Sequence, residues 1–169
     1  MRGIPAAILA SVLLAACATE KPPVYLEQAN VLPVQLDDHF QIRKQDLFFN
    51  DPSHYVLTQS EEMRFFRMRI NYGVVTPRDR DDVTGNFFTF FWWAHERADV
   101  TVRLEYRQAG LGDYVMAQER YYPNAHGSYQ SDFRVTGDEY LEHGRVTEWR
   151  FLLIVNGRIV AFRQSFMWK

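Results

Sequence analysis

The side chains best equipped for chemistry are five histidines, a run of acids, a single cysteine and a large aromatic set. His39, His54, His95, His126 and His143 carry the nitrogen donors that zinc would use. None forms the H-x-H or H-x-x-x-H spacing of a recognisable zinc ligand set. The stretch Asp79-Arg80-Asp81-Asp82-Val83-Thr84-Gly85-Asn86 offers the clustered oxygens that calcium takes. It has no terminal glutamate, however, and Arg78 and Arg80 offset its charge, so it reads as a solvated loop between strands. Neither G-x-S-x-G nor S-x-x-K occurs, which leaves every serine without the local signature of a nucleophile. Paired carboxylates such as Asp138-Glu139 fall in a turn. The reading is a non-enzymatic chain with no metal and no cofactor, and an enzyme of unrecognised type is the remote alternative.

Aromatic side chains supply a different chemistry. Trp92-Trp93 and Tyr121-Tyr122 are adjacent pairs, and neighbours on a strand point to opposite faces, so one of each pair is directed outward. Outward rings stack on sugars or pack against a partner protein. That makes Trp92, Trp93, Tyr121 and Tyr122 the candidate ligand contacts, with cover by an N-terminal arm or a sheet edge as the alternative.

The elements that must position these residues are strands. From Glu62 onward the apolar period is two. In Arg64–Tyr72 the even residues Phe66, Met68, Ile70 and Tyr72 share a face, opposite Arg67, Arg69 and Asn71. Phe87–Trp93 is apolar on both faces. Asp99–Arg107 alternates, with Val100, Val102, Leu104 and Tyr106 inward and Thr101, Arg103, Glu105 and Arg107 outward. Tyr114–Tyr122 returns after the turn Gly110–Asp113, and Ser128–Val135 follows the break Pro123–Gly127. Val146–Val155 and Arg158–Trp168 flank Asn156-Gly157, the pair a two-residue type I′ turn prefers. That turn sets Phe151 opposite Phe162, Leu153 opposite Val160 and Arg150 opposite Arg163. The result is seven strands, no amphipathic helix, and Thr136–Arg145 as a long crossing with Tyr140 tucked beneath it.

Strand number and spacing over residues 62–169 resemble a seven-stranded antiparallel immunoglobulin or fibronectin type III sandwich, without the immunoglobulin cysteine pair. An antiparallel β-barrel is the alternative architecture. Residues 34–61 read as an N-terminal arm with a short hairpin around Asn50-Asp51-Pro52, and residues 17–33, rich in proline, as a flexible tether.

The N-terminus is the most specific part of the chain. Arg2 precedes an apolar run from Ile4 to Ala16, the layout of a secretory signal. That run is shorter than the ~20 residues a spanning helix takes, and Pro5 and Lys21-Pro22-Pro23 interrupt any extension of it. Leu14-Ala15-Ala16-Cys17 resembles the lipobox of bacterial lipoproteins. The resemblance implies cleavage before Cys17, diacylglyceryl on its sulfur and acylation of the new amino group. Two or three chains hold a bilayer where one binds only marginally. Cys17 is the only cysteine, so no intrachain disulfide forms. Ala18 after it, by the same resemblance, favours the outer membrane if the cell has one. The formal charge of −2 gives no basic face for nucleic acid. The expected protein is a lipid-anchored lipoprotein of the bacterial cell envelope, structural or protein-binding, with glycan binding through the exposed aromatics as the alternative.

Overall fold

The structure is a computed structural model that describes residues 22–26, 29–54 and 60–169. The signal region 1–16 and Cys17 lie outside the described residues. In chain order the elements are β1 (Val24–Leu26), β2 (Phe40–Asn50), α1 (Glu61–Ile70), α2 (Pro77–Val83), β3 (Gly85–Gln108), β4 (Met116–Thr136), α3 (Asp138–His143), β5 (Val146–Val155) and β6 (Arg158–Gln164). All paired strands run antiparallel, in the order β1-β4-β3-β5-β6, with β2 added to the first half of β3. The expected class is observed: all-β, antiparallel and sandwich-like. It is built from six described strands rather than seven, and it is open at its edges, not a closed barrel.

Two layers arise from one sheet because β3 and β4 are too long to stay straight. At ~3.3 Å per residue, a 24-residue strand would run ~80 Å, roughly twice the diameter of a domain this size. Register shifts between Ala94 and Val100 break the β3–β4 ladder at its middle, and there the sheet turns over. The first half of β3 lies between β2 and the end of β4, and its second half between the start of β4 and β5. Phe88, Phe90, Trp92 and Ala94 then face Phe151, Leu153 and Trp149 across the interior. The rings of Phe90 and Phe151 stack 4.0 Å apart and 5° from parallel.

The turn-over also brings the two halves of β4 beside each other. Gln118, Arg120 and Tyr122 in its first half donate side-chain hydrogen bonds to the carbonyls of Arg134, Asp132 and Gln130 in its second, at 2.9, 2.9 and 3.3 Å. Side chains two residues apart thus occupy an edge where another strand would otherwise pair.

Several expectations need correction. Arg64–Tyr72 is not a strand: α1 covers most of it. Ser60 caps the Met63 N–H, Glu61 and Glu62 stand in the first turn, and Arg67 and Arg69 in the last, all favourable to the helix dipole. The acidic loop is helix α2. Thr76 and Asp79 form a reciprocal capping box behind Pro77, so the Asp79 carboxylate accepts from the N–H groups of Thr76 and Val75. Those bonds hold the Asp79 carboxyl below its usual range. The arm of residues 34–61 contains β2, an eleven-residue strand. The gaps between expected strands at 94–98 and 123–127 are bulges inside β3 and β4, which joins four expected strands into two.

The Asn156-Gly157 turn is present, with both residues at positive φ (50° and 71°) and Val155 opposite Arg158. A bulge between Ile159 and Ala161 then shifts the register, so Phe151 faces Arg163, Leu152 faces Phe162 and Arg150 faces Gln164. The like-charge pair Arg150–Arg163 does not form. Tyr140 does tuck in, its ring 5.7 Å from Phe49.

Candidate functional site

The residues with the densest polar chemistry lie where the N-terminal segment is bound down on the sheet. β1 pairs with the start of β4 through Val24, Tyr25 and Leu26. The chain then crosses the outer face and joins the opposite edge, where the Ile159 N–H donates to Pro33 O and the N–H groups of Gln35 and Asp37 donate to Ile159 O and Val160 O. Leu32 covers Leu152, Ile154 and Ile159 on the way. The described part of the expected tether is therefore a strap fixed at both ends, because each of its extended pieces finds an open strand edge to satisfy its backbone.

Beneath the strap, the charges expected to face solvent are buried. Arg103 lies opposite Glu119, Glu105 opposite Arg150, and Arg107 opposite Glu148, each an opposite-charge pair directly across two strands. Arg103 Nε meets Glu119 Oε1 at 2.6 Å, and Arg103 Nη1 reaches Asn30 O at 3.0 Å and Glu105 Oε1 at 3.4 Å. Arg150 holds Glu105 Oε2 with Nε and Nη2 at 3.0 and 2.6 Å. Glu105 is only 3% exposed. Arg107 and Arg150 each stand 5.0 Å from the Trp168 ring, a cation–π arrangement at the edge of the network. Beside it opens a cavity of about 570 Å³, walled by Asn30, Tyr114, Gln164 and Trp168. Three cations and three carboxylates neutralise one another here. An anionic ligand would have to displace a carboxylate from a guanidinium, so the arrangement holds the strap rather than offering a vacant charge.

A second polar cluster lies inside. Tyr106 OH donates to Glu139 Oε1 at 2.5 Å and accepts from Gln118 Nε2 at 3.2 Å. Burial raises the Glu139 carboxyl above its ordinary 4.5, against hydrogen bonds from Tyr106 and Tyr25 that pull it down. Burial also raises the phenols of Tyr106 and Tyr25, with the Glu139 charge adding to it. The carboxyl thus joins α3 to β3 and to the strap's first strand. A folded-state value above the unfolded one means that the folded protein binds the extra proton. This group's stabilisation is complete below 4.5 and declines as pH rises through the folded value. Glu139→Gln keeps an acceptor for Tyr106 but cannot ionise. Urea unfolding between about pH 4 and about pH 8 is expected to show a flatter decline for the variant. Equal slopes would reject the assignment.

The four candidate aromatics are split by the sheet. Trp92 is 1% exposed, stacks on Tyr129 at 4.6 Å and donates from Nε1 to Ser131 Oγ at 2.9 Å. Tyr122 packs edge-on against Trp92, its hydroxyl 2.8 Å from the same Ser131 Oγ. Trp92 thus belongs to the core and Tyr122 packs half-buried against it, which corrects the expectation that Trp92 contacts a ligand. Trp93 and Tyr121 are the outward members, as alternation requires. The Trp93 ring carries the Arg43 guanidinium 4.4 Å from its centre, and Tyr121 is exposed. Among the described residues, no three His, Cys, Asp or Glu side chains converge for a metal. No helix of the described residues is long and apolar enough to cross a membrane.

Sequence reasoning missed the charge network. Its signal was the Arg103-Glu105-Arg107 alternation, which becomes meaningful only once Glu119, Glu148 and Arg150 are known to lie across from it.

No family model and no curated protein matches this chain. Among solved structures, a crystal structure from Akkermansia muciniphila is similar over 77% of this chain and 71% of the other, at 14% identity and a TM-score of 0.48.

Proposed function

We propose that the chain is a lipid-anchored lipoprotein of the bacterial cell envelope whose sandwich serves as a structural or protein-interaction module. The observation that carries this reading is Leu14-Ala15-Ala16-Cys17 at the end of a short apolar run, with Cys17 the only cysteine. The strap supports it. Only six residues, 18–23, separate Cys17 from β1, and the segment that β1 opens is fixed to two strand edges and to Arg103. A pull on the N-terminus is thereby passed to the sheet. Ala18 favours the outer membrane where the cell has one. Glycan stacking finds less support, because Trp92 is interior and Arg43 lies over Trp93.

Intact-mass analysis of the membrane-bound protein is expected to show Cys17 as the N-terminus with added acyl mass, and Cys17→Ser to release the protein from the membrane fraction. A membrane-fraction protein with an unmodified Cys17 thiol would overturn the reading.

A further inference from the structure

Helix α1 turns apolar side chains in two directions. Phe66 and Ile70 face the sheet, where Phe66 meets Phe48 and Phe87 at 5.1 and 6.2 Å. On the opposite side Phe65 and Met68, spaced i and i+3, are 69 and 68% exposed, and Tyr72 and Val75, in the turn past the Asn71 cap, are also exposed. Isolated exposed apolar residues are ordinary, but a line of them along one helix face marks a contact surface. Arg64 and Arg69 flank this line, and both are exposed. Glu61 and Glu62 stand at the far, N-terminal end, where Arg64 and Lys44 pair with them at 3.6 and 3.4 Å.

What covers this face follows from where the chain leads. Pro22 and Pro23 line the same 410 Å³ cavity as Phe66, Arg69 and Ile70, so the start of the bound segment lies beside α1. Cys17 is five Cα–Cα steps from Pro22, a reach of at most roughly 18 Å. A lipid on Cys17 therefore brings the bilayer surface within reach of α1. The antiparallel pairing carries β1 from Glu119 toward Ala117, away from the anchor and toward the Asp113 turn.

We propose that the Phe65–Met68 face of α1, with Tyr72 in the turn after it, lies in the interface of an anionic bilayer, with its aromatic and thioether side chains at headgroup depth and Arg64 and Arg69 on lipid phosphates. This rests on the lipid-anchor reading and extends it from attachment to orientation: the sandwich leans on the membrane through one helix.

The test uses the full lipidated chain. With the Cys17 thiol acylated, Met68→Cys provides a unique site for an environment-sensitive fluorophore, and Asp113→Cys a reference. On floated vesicles containing phosphatidylglycerol, the label at 68 is expected to emit further to the blue and to be quenched several-fold more by bilayer-embedded quencher than the label at 113. Arg64→Gln with Arg69→Gln, or vesicles of phosphatidylcholine alone, should at least halve that quenching. A label at 68 as water-exposed as the one at 113, on protein that floats and carries acyl mass, would overturn the docking and leave the anchor standing. Shielding at 68 that appears without vesicles as protein concentration rises would assign the face to a second copy instead. Absence of acyl mass would overturn the anchor, and the juxtaposition with it.

Discussion

Replacing Glu105 with alanine is expected to cost about 3–5 kcal/mol of folding stability, the range for breaking a buried charge pair from one side. Its carboxylate bonds both Arg103 and Arg150. Without it, Arg150 loses its two-bond partner and is left uncompensated, while Arg103 keeps Glu119 and Asn30 O. In thermal unfolding the loss should appear as a drop of roughly 10 °C in Tm. Strap and network share Arg103, so amide exchange at Gln35, whose N–H bonds to Ile159 O, should quicken in the same variant. A second variant separates the lost charge from lost packing. Converting Arg103, Glu105, Glu119 and Arg150 together to apolar residues of similar volume is expected to recover most of the stability, because desolvation of the ions disappears along with their attraction. A cost under about 1 kcal/mol for Glu105→Ala would mean that the network behaves as an exposed one.

Phe151→Ala is expected to be of the same size for a different reason. The side chain is fully buried, stacked on Phe90 and edge-on to Phe133 at 6.2 Å. Removing a buried phenylalanine costs about 3–5 kcal/mol, as transfer free energy plus the cavity left behind. Here the cavity would open between the two layers, which are tied together by the bends of β3 and β4 and cannot simply slide together. Phe90→Ala should cost a similar amount. The double variant should fall short of the sum by about 1 kcal/mol, the coupling of a stacked pair beyond its area. Strict additivity, read from urea midpoints, would show that the stack contributes nothing of its own.

The sequence disclosed those parts of the molecule that local chemistry decides. Asn156-Gly157 required positive φ at two successive positions, and the hairpin formed there. The alternation of Val100, Val102, Leu104 and Tyr106 marked an interior face, and all four are fully buried. Where two periods fit the same residues, the pattern misled. EEMRFFRMRI satisfies both an alternating and a helical spacing, and Ser60, the paired glutamates and the terminal arginines decide for the helix. The seam between strands and the bulge at Val160 depend on tertiary curvature, which no short window contains. The reversal at Arg103 and Glu105 is of the same kind: polar residues on the outer face of a strand look solvated until a distant segment, residues 29–37, is laid across them.

The side-chain ladder along β4 has a consequence for how these molecules behave together. An exposed strand edge is a template on which another chain can extend the sheet. On β4 the carbonyls of Gln130, Asp132 and Arg134 already accept from Tyr122, Arg120 and Gln118, and on β6 the strap occupies Ile159 and Val160. Held in one membrane plane by the proposed anchor, molecules would meet at far higher local density than free ones do. Under that crowding, the filled stretches of these two margins would give a neighbour's strand no free carbonyl to pair with at Gln130, Asp132, Arg134, Ile159 and Val160.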